Sequence, residues 1–185
     1  MFQPTSQTQA IQEGQLLIAD PSLRGSVFNN SVVLLAQHSL DGAFGLILNQ
    51  PTNSVVGDYL TEESFAELAR IPVMNGGPVA KSHLTFAAFW LSPDKQLRYA
   101  IRISAEDAIA RSKQSGTIVR AFAGYSGWSS NQLEDEMERH SWVSTPAPQN
   151  ILGMEHDKSL WKKTLDIISP FHQLLALCPT HPHLN

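Results

Sequence analysis

Residues 31–49 read Ser31-Val32-Val33-Leu34-Leu35-Ala36-Gln37-His38, then Ser39-Leu40-Asp41-Gly42, then Ala43-Phe44-Gly45-Leu46-Ile47-Leu48-Asn49. The outer runs are rich in residues that favour extended backbone, and Asp41-Gly42 supplies the positive φ a tight turn needs, so the stretch predicts a β-hairpin. Nearly every strand position is apolar. That pattern predicts burial on both faces, and so a place at the centre of a sheet.

On the N-terminal side, Gln15-Leu16-Leu17-Ile18-Ala19 reads as a short buried strand stopped by Asp20-Pro21, because proline cannot donate to a continuing ladder. On the C-terminal side, Pro51 is expected to end the hairpin. Thr61 to Ala69 follows as a helix with Phe65, Leu68 and Ala69 inward and its glutamates outward. Leu84 to Trp90 and Leu97 to Ile103 are two more strands around the turn Ser92-Pro93-Asp94-Lys95. Strict alternation in the second would put Arg98 and Arg102 on one face and Leu97, Tyr99, Ile101 and Ile103 on the other. Ser104 caps a helix that stops by Gly116, and Asp157 caps another carrying Trp161, Leu165 and Ile168. Phe171 to Leu177 reads as a last short helix. Strands that come in pairs, with helices between some of them, predict a mixed sheet in a single α+β domain. Its expected bounds are 14–178, with tails at 1–13 and 179–185.

A chain of 185 residues is long enough to bury its own core. Its single cysteine, Cys178, excludes an internal disulfide and suits a reducing compartment, so the expected location is the cytoplasm. The first nine residues lack the basic and apolar regions of a secretion signal. No apolar run approaches the ~20 residues of a membrane-spanning helix. A formal net charge of −4 argues against a polyphosphate as the main partner.

The segment 117–143 is the most site-like. Ile118 to Ala123 reads as a strand, Gly124-Tyr125-Ser126-Gly127-Trp128 as a turn, and Ser129 to His140 as an acidic helix with Ser129 and Gln132 forming a capping box. Ser126 does not sit in a nucleophile elbow, because Trp128 stands where Gly-x-Ser-x-Gly needs its second glycine. Glu134, Asp135 and Glu136 in the first turns would repel a phosphate and suit a cationic or neutral partner. Leu133 and Met137 form the inward face, which leaves Glu134 least explained. Gly76-Gly77-Pro78 permits a close backbone approach. His38 and Asn49 are accessory candidates near the hairpin. Cys178, His181 and His183 lack a fourth metal ligand. No catalytic set, metal site or cofactor motif is legible.

Three segments together resemble the AlgH/YqgE family of uncharacterised bacterial proteins. They are Gly14 to Pro21 with Phe28 to Pro51, then Gly76-Gly77-Pro78-Val79, then Gly124 to Trp128 with Gln132, Leu133 and Glu134. Arg24-Gly25-Ser26 departs from the family pattern, in which an Asp-Pro pair often precedes the Phe. The resemblance implies a bifurcated mixed sheet curled into a pseudo-barrel with flanking helices. It also implies a proposed link to transcriptional regulation, without an assigned activity. Nothing in the chain matches a helix-turn-helix, zinc finger or basic patch, so direct DNA binding is disfavoured. The expected function is a binding or regulatory role through a protein or small-molecule partner. The expected surface is Gly76, Gly77, Pro78, Tyr125, Ser126, Trp128, Gln132 and Glu134. A hydrolase using the 124–136 segment and a direct DNA-binding regulator are the alternatives. The oligomeric state is not legible.

Overall fold

The predicted hairpin forms the middle of the sheet. In the computed structural model, which describes residues 11–23 and 25–168, β1 (Gln15–Ala19), β2 (Val32–Ser39) and β3 (Gly42–Ile47) run antiparallel, with Leu16 opposite Leu34 and Leu34 opposite Leu46. A two-residue turn, Leu40-Asp41, joins β2 to β3, and Ser39 pairs with Gly42. Leu17, Val33 and Leu35 are as fully buried as Leu16, Ile18 and Leu34 on the opposite face. Their unbroken hydrophobicity is therefore the signature of a strand covered on both sides.

The largest departure from expectation is at 124–128. Instead of turning at Gly124, the chain continues as one strand, β8 (Ile118–Ser129). Its first half lies between β5 (Pro72–Asn75), which is parallel to it, and β6 (Val79–Leu91), which is antiparallel. Its second half pairs with β3, Gly45 opposite Ser126 and Ala43 opposite Trp128. The glycines permit continuation, not reversal. Gly124 has φ +72°, and a Cβ there would lie 2.7 Å from the carbonyl oxygens of Gly77 and Val79. A Cβ on Gly76 would strike the Gly124 carbonyl oxygen, and one on Gly77 the Tyr125 backbone. The three glycines therefore let two stretches of main chain pass in contact.

This contact is the fork of the sheet. One branch is β5 with the edge strand β4 (Pro51–Val55). The other is β3-β2-β1-β9, ending at β9 (Trp142–Pro146), and β6 leaves the far edge of β8 to carry β7 (Leu97–Ile103). Pro51 begins a strand where it was expected only to end one, as an edge position tolerates. The expected helix at 61–69 is a 3-10 segment, Glu63–Leu68. A register shift at Phe86/Ala87 and φ +54° at Arg102 mark a bulge. The bulge overturns the predicted alternation in β7. Leu97, Tyr99 and Ile101 pack inward, whereas Ile103 packs on the opposite layer. The Arg102 guanidinium stacks 4.2 Å from the Phe44 ring centroid and 5.9 Å from that of Tyr125.

The mixed, bifurcated sheet of the α+β domain is therefore present. It curls around a core drawn from both branches, including Leu34, Leu46, Met74, Phe89 and Phe122, but it does not close into a barrel. α3 (Lys158–Ile168) enters that core through Leu160, Trp161 and Leu165, and the Trp161 indole donates to Ala19 O at 2.7 Å. α2 (Gln132–Glu138) covers the outer face of the β1–β3 branch through Leu133 and Met137. α1 (Ala105–Ser112), capped by Ser104 as expected, covers the β6–β8 face. Residues 1–10 and 169–185, with the expected tails, the short helix at 171–177 and Cys178, lie outside the described residues.

Candidate functional site

The residues singled out in sequence divide into a buried group and a surface group. Ser126 is fully buried and its hydroxyl donates to Gly76 O at 3.1 Å, so both belong to the fork. Gly77 is buried beside them, Pro78 is exposed, and Tyr125 is half-buried with its ring centroid 4.9 Å from that of Phe44. Asn49 is 1% exposed; its Oδ1 accepts from Val32 N and its Nδ2 donates to Asn30 O, both at 2.8 Å. It anchors the entry to β2.

Trp128 is also consumed by packing. It forms an aromatic cluster with Phe28 and Trp142 under α2. The indole N–H groups of Trp128 and Trp142 both donate to Glu136 Oε2, at 2.9 and 2.7 Å. Gln132 Nε2 donates to Oε1 of the same carboxylate at 3.0 Å. Glu136 is thus the polar centre of this layer. Trp128 lies on β8 and Glu136 on α2, so no single helical or strand period relates them and no sequence pattern indicated the contact.

His38 and Glu134, 96 residues apart, do meet. His38 Nε2 lies 2.7 Å from Glu134 Oε1, joining the end of β2 to α2, with the imidazole mostly buried and the carboxylate about half exposed. Burial of the carboxyl opposes ionisation. A backbone hydrogen bond and the His38 contact outweigh it, and hold Glu134 below the ordinary carboxylate value. Around the pair, Ser130 Oγ donates to Leu40 O at 2.7 Å and His38 N donates to Glu13 Oε1 at 2.8 Å. The β2–β3 tip is therefore tied on both sides. Leu40 at that tip is 94% exposed.

The expected capping box is only half made. Ser129 N and Oγ donate to Gln132 Oε1 at 3.0 and 3.2 Å, but the helix begins at Gln132 after Asn131 with φ +61°. Its first turn carries Glu134 and Asp135, which keeps the local field unfavourable to anions. With Ser126 inside and the His38 imidazole mostly buried, the chemistry exposed at the β2–β3 tip and the start of α2 is carboxylates and the apolar side chain of Leu40. This set can recognise cationic groups. Among the described residues no three His, Cys, Asp or Glu side chains gather as a metal site, and no helix is long and apolar enough to cross a membrane.

A family profile described as AlgH-like matches residues 16–170. A UPF0301 protein of Cytophaga hutchinsonii is 34% identical over 95% of this chain and 100% of its own length. Another, from Parabacteroides distasonis, is 33% identical over 94% of this chain and 91% of its own. Among solved structures, AlgH from Pseudomonas aeruginosa superposes with a TM-score of 0.63 at 25% identity, covering 94% of this chain and 99% of that one. A crystal structure from Corynebacterium diphtheriae gives 0.66 at 21% identity, covering 92% and 94%.

Proposed function

The chain belongs to the AlgH-like family, and from that premise we propose that it acts in the cytoplasm as a binding and regulatory protein, engaging a protein partner through the β2–β3 tip and the acidic face of α2. The 2.7 Å contact between His38 and Glu134 carries the proposal. It sets a bare leucine and a group of carboxylates in one rigid patch. Leu40 offers an apolar side chain on a main chain already tied at both sides, so a partner's pocket that covers it orders little backbone on binding. Asp41 lies beside it, and Glu134 and Glu138 stand one helical turn apart on α2. The partner that fits has an apolar pocket rimmed by lysine or arginine. Any influence on transcription would pass through that partner, because a duplex at this patch would meet like charge.

A titration of isotope-labelled protein with cationic amphipathic peptides tests the reading. Amides of residues 38–41 and 130–138 should move, and Leu40→Ser or Glu134→Gln should each weaken binding about tenfold, or ~1.4 kcal/mol. Shifts confined to other faces, or affinity untouched by both changes, would reject the patch.

A further inference from the structure

We propose that Arg120 and His156 form a binding site on the inner face of the sheet for the carboxylate of a small, otherwise uncharged molecule. Arg120 stands opposite Ala87 and two residues before Phe122 on β8. Both belong to the interior core, and side chains directly opposite or two residues apart share a face of a sheet. The guanidinium is therefore turned into an apolar layer. There its Nη1 donates to the Met74 sulfur at 3.8 Å, and among the described residues it has no other hydrogen bond and no ion pair. Residues 1–10, 24 and 169–185, which lie outside the described residues, contain no aspartate or glutamate. No side-chain carboxylate of this chain is thus left to pair with Arg120. Burial pulls its pKa below the ordinary value, and a bound anion would offset that desolvation.

His156 supplies the second polar group. Its Nε2 donates to Ile151 O at 2.8 Å, while its Nδ1 is buried and has no hydrogen-bond partner among the described residues. Arg120 is the charged side chain that acts on this ring, and the carbonyls of Ile151 and Leu48 face it. A carboxylate held between the two side chains would accept from the guanidinium and cancel the charge that opposes protonation of His156. Nδ1 would then carry a proton to donate, which removes the cost of leaving it unpaired. A carboxylate brings one charge and two oxygens into this layer, whereas a phosphate brings up to two charges and three oxygens. The smaller load suits a layer with two polar side chains.

The uncharged part of the ligand has a place beside them. Ile118, two residues before Arg120 on the same face and so about 7 Å along the strand, lines a cleft of about 710 Å3. Leu152 and Gly153, which follow Ile151, line it as well; Trp90 adds apolar surface, and Gln114 and Thr117 add polar groups. Among the described residues no charged side chain lines this cleft. Such a lining suits a largely apolar body with no charge of its own, and leaves the acid group to Arg120.

The probe is hexanoate, titrated into the full chain while the histidine rings are followed by NMR, with the His156 signal assigned through His156→Gln. In the free protein His156 should titrate below the ordinary ~6.5, and saturating hexanoate should raise its pKa by about one unit, a tenfold gain in proton affinity. Hexanol should leave it unchanged. Arg120→Met, which keeps bulk and removes the charge, should weaken hexanoate binding at least tenfold without lowering the melting temperature of the free protein, because an unpaired buried charge is lost with it. The His156 titration is read on the unaltered protein and decides the matter even where the variant does not fold. No binding at millimolar hexanoate, affinity unchanged in Arg120→Met, or tighter binding of hexyl phosphate would each overturn the proposal. So would a His156 pKa above ~6.5 in the free protein, the result expected if the chain's own C-terminal carboxylate filled the site.

Discussion

Glu136 holds two indole N–H groups that have no other acceptor within the layer under α2. Replacing it by leucine keeps bulk but strands both donors, which costs about 2–3 kcal/mol. A denaturation midpoint lowered to match, with a shift in tryptophan emission, is the expected result. Glu134 differs because about half of it is exposed. Its folded carboxyl sits below the ordinary value, so its contribution is present at neutral pH and is lost as pH falls through the folded value. Glu134→Gln should therefore cost about 0.5 kcal/mol at pH 7 and nothing in strong acid, read from urea midpoints across pH. His156 behaves in the same sense. Burial first, then the Arg120 charge, push its pKa below the ordinary 6.5 against the pull of the Ile151 and Leu48 carbonyls. Its Nε2 donates to Ile151 O at 2.8 Å. The folded state thus resists protonating it, and stability should decline as pH drops below about 6.5. His156→Gln should flatten that part of the stability profile.

At the scale of elements, the bulge in β7 yields an inverted substitution order. Arg102 has φ +54°, where glycine is unstrained and alanine is not. Arg102→Gly should therefore be more stable than Arg102→Ala, the reverse of the usual strand preference, by about 1 kcal/mol in paired melts. The same backbone logic explains what was legible in the sequence. The β2–β3 hairpin, the Ser104 and Asp157 caps and the inward residues of α2 follow from local pattern. β8 did not, because a glycine-rich run that crosses a neighbouring backbone has the composition of a turn. β4 and β9 are short and polar or proline-ended, so their strand character comes from the β5 and β1 neighbours they pair with. Of the site residues, His38 and Glu134 were named separately, and only the fold brought them together. Glu136 was read only as one of three helix acids and Leu40 only as a turn residue. Their roles depend on which side chains the hairpin and α2 place beside them.

For the whole molecule, the fork at Gly76, Gly77 and Gly124 lets one curled sheet hold an interior core while α2 and α1 cover two outer faces. Among the described residues, nothing covers the β2–β3 tip, where Leu40 is 94% exposed. The central claim is that the tip meets a protein partner. A photoreactive amino acid in place of Leu40, activated in the native cell, tests this most directly, with the same probe at Ile167 on α3, 60% exposed, as control. The account predicts one discrete adduct from position 40, absent from position 167 and lost when Glu134 and Glu138 are changed to glutamine. No adduct at position 40, or the same adduct from both positions, would contradict it.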